Sequence, residues 1–165
     1  MRIVAAALAA VYFSAAPVSA QAAPPTAEDF AAPSAIADVE VSPSGRRMAL
    51  LVTGPNGRTR LGVMDLDPIG AARAVAAFSD ADVKNVTWVN DDRLVFEAFQ
   101  EGPVIKPWGG GVFAVNHDGS EQVQLIAWAR HTEREGSRIQ SKILPYGWYF
   151  HSAVDDGSDD VLVRR

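Results

Sequence analysis

Three observations make this an all-β chain built from repeated four-stranded antiparallel units. From residue 36 onward, short apolar runs alternate with Gly, Pro, Asn and Asp clusters, the pattern of many short strands. No later segment sustains the 3.6-residue period of a helix. A shape also repeats: Val41-Ser-Pro-Ser-Gly-Arg-Arg-Met-Ala-Leu-Leu-Val52 returns as Trp88-Val-Asn-Asp-Asp-Arg-Leu-Val-Phe-Glu-Ala98. Each copy runs from an apolar residue through a polar turn and a basic residue into an apolar run, with few letters shared.

The elements follow in order. Met1-Arg2 and the alanine-rich apolar run 3–18 precede Val18-Ser19-Ala20 and Ala20-Gln21-Ala22, the layout of a signal peptide over residues 1–22. Cleavage is expected near Ala20 or Ala22, giving a periplasmic or secreted protein. The run is short of the ~20 residues a bilayer demands, so no stable membrane span is expected after cleavage. Residues 23–35 read as a linker with a short helical turn near 27–31: Thr26-Ala-Glu-Asp29 is a loose capping box, and Pro33 ends the turn.

Strands are predicted at 36–41, 48–53, 60–66 and 74–78, then at 83–88, 94–99, 111–115 and 122–128. The punctuation is Ser42-Pro-Ser-Gly45, Gly54-Pro-Asn-Gly57, Asn90-Asp-Asp92 and Asn116-His-Asp-Gly119. Pro pre-sets φ at the first of these, and Asp-Gly at the last is a strong hairpin signal. Aligning Val41 with Trp88 gives an offset of 47, Leu50 with Phe96 gives 46, and Leu61 with Val112 gives 51. The repeat is therefore four strands in a little under fifty residues, the size of a propeller blade (about 40–50 residues).

The expected architecture is a partial β-propeller: one blade over 36–80, a second over 81–130, and the truncated start of a third over 131–165. The third is signalled by Ser152-Ala-Val-Asp-Asp-Gly-Ser-Asp-Asp-Val-Leu-Val-Arg-Arg165. Blades bury their faces on neighbouring blades, and roughly three or more units make a stable array. A chain with two and a fraction is expected to be the N-terminal portion of a longer protein.

Composition excludes several functions. Twenty acidic residues outnumber fifteen basic ones, with no basic cluster beyond Arg46-Arg47 and Arg164-Arg165, so no nucleic-acid partner is expected. Without cysteine, neither disulfides nor thiolate metal sites contribute.

The motifs that suggest chemistry have simpler structural readings. Trp108-Gly-Gly-Gly111 echoes a lipase oxyanion loop, which needs a nucleophile elbow and an α/β sheet; three glycines more simply let a loop turn into a strand. His117, His131 and His151 lack metal-ligand spacing. Asp155-Asp-Gly-Ser-Asp-Asp160 lacks the Glu that completes a calcium loop and reads as a turn. His131-Thr-Glu-Arg-Glu135 reads as a solvated loop. Asn85-Val-Thr87 fits the N-glycosylation pattern but falls in a predicted strand. No catalytic, cofactor or metal residue is assigned, and no cofactor is expected.

The order of these segments resembles the start of the propeller domain of bacterial secreted serine peptidases of the prolyl oligopeptidase family, the dipeptidyl- and acylaminoacyl-peptidase-like members. The resemblance covers residues 24–165 and rests on "PPTAEDFAAPSAIADVEVSPSGRRMALLV", "LGVMDLD", "VTWVNDDRLVFEA", "GGGVFAVNHDGSEQVQLI" and "DDGSDDVLVRR". It implies a C-terminal α/β-hydrolase domain with a Ser-Asp-His triad, which this propeller would cover, admitting peptide substrates. The chain contains no G-x-S-x-G elbow, so no triad residue is carried over and the chain alone is expected to be inactive. The alternative is a non-enzymatic periplasmic propeller of TolB type, a protein-interaction scaffold.

Overall fold

The computed structural model describes residues 35–100, 110–127 and 142–165, all within one compact unit, Pro33–Arg165. The expected signal peptide and the helical turn near 27–31 lie outside the described residues. So do the loop carrying Trp108 and the segment around His131 and Glu135.

Ten strands form three antiparallel sheets, with no helix among the described residues. Sheet 1 holds β1 (Ile36–Val41), β2 (Arg47–Thr53), β3 (Thr59–Asp65) and β4 (Arg73–Ala76), paired in chain order. Sheet 2 holds β5 (Asp82–Trp88), β6 (Arg93–Phe99), β7 (Gly110–Asn116) and β8 (Val123–Ala127), also in chain order. Sheet 3 is the pair β9 (Tyr149–Ala153) and β10 (Val161–Arg164).

The eight strands expected in the first two units are all present, with ends within two residues of prediction. β9 was not anticipated. Its sequence, Tyr-Phe-His-Ser-Ala, offers no clean alternation, because a bulge between its pairings to Leu162 and Val163 breaks the two-residue period.

Sequence chemistry explains the turns. At β1–β2, Pro43 fixes φ, Gly45 takes φ +74°, and the Gly45 N–H donates to the Ser42 carbonyl at 2.8 Å. At β5–β6 the Asn90 side-chain oxygen accepts from the Asp92 and Arg93 amides, both at 2.9 Å, an Asx turn.

Among the glycines described in strands, Gly111 is one whose absence of a side chain is demanded. Its φ is +142°, and an added Cβ would meet the Ile126 carbonyl oxygen. The expectation that glycine eases the chain into this strand thus acquires a different cause, close approach of β8.

Packing reproduces the repeat position by position. One core joins sheets 1 and 2: Ala49, Leu51, Leu61, Val63, Val75 and Ala76 meet Val86, Trp88, Leu94, Phe96 and Val115. A second joins sheet 2 to sheet 3: Val95, Val112, Ala114 and Ile126, with Leu125, meet Phe150, Ala153, Val161 and Val163. Registering Arg47 on Arg93 and Asp65 on Asn116, which oppose each other in their sheets, places Ala49, Leu61 and Val63 on Val95, Val112 and Ala114.

The irregularities repeat as well. The β3–β4 register shift at Leu61/Gly62 recurs in β7–β8 at Val112/Phe113, and the first strand of every sheet carries a shift. A bulge flips which side chains face inward, so the return of the β3–β4 shift at the matched β7–β8 position keeps matched faces, whereas the first-strand shifts fall at a different position in each sheet.

The core is dense where sheet 2 is covered. Phe96 is fully buried and its ring centroid lies 6.2 Å from Phe78 and 5.7 Å from Phe113. Burying such a side chain contributes about 1.5–3 kcal/mol. The Trp88 indole N–H donates across the seam to the Glu40 carbonyl at 3.1 Å, satisfying a polar atom that burial would otherwise leave unpaired.

Candidate functional site

Turn residues of all three sheets meet in one polar rim. The Ser44 amide, in the β1–β2 turn, donates to Asp91 Oδ1 of the β5–β6 turn at 2.9 Å. Arg47 donates through Nη1 to the Asp91 carbonyl at 2.7 Å and to Asp92 Oδ1 at 3.1 Å, while its Nε reaches Asp65 at 3.2 Å. The His117 amide, from the β7–β8 turn, donates to the Asp92 carbonyl at 2.7 Å. Asn90 Nδ2 then reaches the Ser158 carbonyl at 3.0 Å and Asp159 Oδ1 at 2.8 Å in the β9–β10 turn.

A cleft of about 700 Å³ opens on this rim, lined by Asp91, Asp92, His117, Asp118, Glu121 and Asp159 among others. Five of these six side chains are carboxylates. Partial compensation stands beside the cleft. Arg93 is largely buried, with its side chain 11% exposed, and donates to Asn116 Oδ1 at 2.6 Å. Its Nη1 lies 3.8 Å from Glu121. His117 Nδ1 stands 3.3 Å from Asp92 Oδ1, within ion-pair range but not aligned for a hydrogen bond.

Several rim carboxylates are occupied in holding turns. The Ser44 hydroxyl and amide hold Asp91 below the usual carboxylate range. Ser120 does the same to Asp118, donating from its hydroxyl at 2.6 Å and its amide at 2.8 Å. Ser158 acts likewise on Asp156, and Arg73, then Arg47, depress Asp65. Hydrogen bonds to a carboxylate favour its charged form; Asp118 and Asp156 fasten their own turns, Asp91 fastens the seam, and Asp65 ties β3 to β2 and β4.

Glu40, on β1 beside the seam, moves the other way. Burial raises it, opposed by the Trp88 backbone and reinforced by Asp38.

The chemistry open to this rim is electrostatic attraction of cations. No catalytic assembly is present among the described residues: neither His117 nor His151 bonds a described hydroxyl, and no three His, Cys, Asp or Glu side chains are grouped to hold a metal ion. His117 occupies its expected turn and His151 an exposed position on β9, so the two are not brought together. Asp155–Asp160 forms the β9–β10 turn, as read from sequence, and contributes Asp159 to the cleft.

Asn85 is exposed, at φ +50°, where the β5 register shifts between Lys84 and Thr87. It does sit in a strand, but at its irregular point. Sequence reasoning missed the inter-sheet pairs Ser44–Asp91 and Asn90–Asp159. The available signal was that polar turns recur at the same place in each repeat. No protein family, curated protein or solved structure matches the chain.

Proposed function

We propose that this chain is propeller-type architecture serving as the gating and substrate-selecting part of an exported serine peptidase of the prolyl oligopeptidase kind. A signal peptide over residues 1–22 would deliver it. Peptide hydrolysis would be the work of an α/β-hydrolase domain outside these 165 residues, and the module would filter peptides by access and charge.

The observation that supports the propeller reading is the position-by-position equivalence of the two inter-sheet cores, bulges included. Stacked sheets of identical plan are the way a radial repeat buries two apolar faces per sheet. The peptidase reading leans on the order of sequence motifs from residue 24 to 165. The rim is compatible with it, since an acidic cleft draws in cationic ends of peptides by long-range attraction.

Two measurements test this. The purified chain should not hydrolyse a chromogenic dipeptide substrate; turnover that survives repurification would overturn the gating role. Reading the gene beyond codon 165 should reveal further four-strand repeats and then a G-x-S-x-G elbow. Repeats with no elbow would replace the peptidase reading with a TolB-type interaction scaffold.

A further inference from the structure

One nitrogen on the rim is shielded from solvent, close to a carboxylate and without a hydrogen bond. It is His117 Nδ1, 3.3 Å from Asp92 Oδ1. The ring sits where the β7–β8 turn is held on the β5–β6 turn, because the His117 amide donates to the Asp92 carbonyl at 2.7 Å.

Asp92 is also the end of a row of charges that begins in sheet 1. Arg73 Nη1 on β4 lies 3.1 Å from Asp65 Oδ2, Asp65 Oδ1 lies 3.2 Å from Arg47 Nε, and Arg47 Nη1 lies 3.1 Å from Asp92 Oδ1. Signs alternate along it, and the next place belongs to His117. The first four members are charged at neutral pH. The fifth is histidine, the side chain whose charge ordinarily changes between about pH 5 and 8.

We propose that His117 is a pH-operated latch, which in acid fastens the β7–β8 turn to the β5–β6 turn and, through Asp92 and Arg47, to sheet 1. A neutral ring leaves the Asp92 carboxylate to Arg47. An imidazolium completes the alternating row and turns the 3.3 Å approach into an ion pair.

The groups around the ring favour the cation. The β5–β6 turn presents Asp91 and Asp92, the ring's own turn presents Asp118 and Glu121, and the β9–β10 turn presents Asp159, all lining one cleft. Against these five carboxylates stand three guanidiniums that are already engaged. Arg93 on β6 donates to Asn116 and lies 3.8 Å from Glu121. Arg47 on β2 bonds Asp65 and Asp92, and Arg73, on the β4 strand that approaches Gly119 through Val75, bonds Asp65.

The latch is therefore shut on the acid side of the histidine range and open on the alkaline side. That window lies above the one in which carboxylates take up protons, so the two effects separate on the pH axis. Asp92 is 72% exposed, and screening holds such a pair to the strength of a surface ion pair, about two- to fivefold in the opening of the turn. The inference rests on the His117–Asp92 contact and not on the peptidase reading, so an absent nucleophile elbow leaves it standing.

Amide hydrogen exchange at His117, read by NMR on the full chain and divided by the intrinsic rate at each pH, tests it, since exchange reports local opening. The opening constant should be about two- to fivefold smaller near pH 5.5 than near pH 7.5. His117→Gln keeps the amide and should open equally at both. Asp92→Asn keeps the accepting carbonyl and should lose the difference as well. His151→Gln, on exposed β9, should behave as wild type.

Equal opening at both pH values in the wild-type chain would overturn the inference, whatever the variants do. An acid gain that survives in His117→Gln would overturn it by assigning the effect to another group. A gain that survives in Asp92→Asn would do so by removing the latch from this contact.

Discussion

Sheets 1 and 2 are built on one plan and live in different surroundings. Sheet 2 is covered on both faces, one by sheet 1 and the other by sheet 3. Sheet 1 has one face in the seam, while β1 exposes Ile36, Val39 and Val41 on the other. The edge strands show it: Trp88 of β5 is buried where the equivalent Val41 of β1 is exposed, although Leu50, equivalent to Phe96, is buried too. Position in the repeat sets which face a side chain joins; the neighbour sets how large the side chain grows and what it contributes.

The largest expected effect breaks the covered sheet. Phe96→Ala, which empties the centre of the Phe78–Phe96–Phe113 group, should destabilise by about 3–5 kcal/mol in chemical denaturation. Val41→Ala, on the open face, should change stability by less than about 0.5 kcal/mol. Similar losses at the two positions would mean that sheet 1 is covered as sheet 2 is.

Next comes the junction between the sheets. Asp82, which opens β5, is 7% exposed and accepts from Arg58 Nη1 at 2.7 Å and the Thr59 amide at 2.8 Å. Asp82→Ala strands both donors and should cost about 2 kcal/mol, read as a shift in denaturation midpoint at unchanged m-value.

The rim and the seam should respond to pH in opposite senses. Asp65, Asp91, Asp118 and Asp156 are lowered from 3.8. The stability they contribute is present above that unfolded value and is lost as pH falls through the lower folded values. Glu40 is raised from 4.5, so its contribution is present below 4.5 and is lost as pH rises through the folded value. Asp91→Asn should flatten the acid limb of a melting-temperature profile. Glu40→Gln should remove the loss above 4.5 and stabilise the chain at neutral pH. That gain should be small, about 0.5 kcal/mol at most once solvent screening of a half-exposed group is allowed for. A neutral-pH loss in Glu40→Gln would mean that the charged carboxylate has a partner of value.

The strands and turns of sheets 1 and 2 were legible because their signals are local. Pro43, Gly45, Asn90 and the Asp118-Gly119 pair dictate hairpins through their own φ preferences and side-chain acceptors. β9 was illegible because a bulge at His151 disrupts the alternation that betrays a strand. The acidic cleft was legible only as separate turns. Nothing in Asn116-His-Asp-Gly119 says that its amide will meet Asp92, since that proximity comes from pairing Arg93 with Asn116 across β6 and β7. The bulges that choose each inward face were invisible for the same reason: they are settled by the neighbouring strand.

Because both large sheets pair their strands in chain order, each is a meander with no crossover to thread. Closing such a sheet needs only hairpins between neighbours in sequence, and short loops close at small entropic expense. Sheet 1 can therefore close on itself without any residue beyond β4. Sheet 2 is likewise complete within its own stretch of chain, so what joins the two is the docking of finished apolar faces and not an exchange of strands.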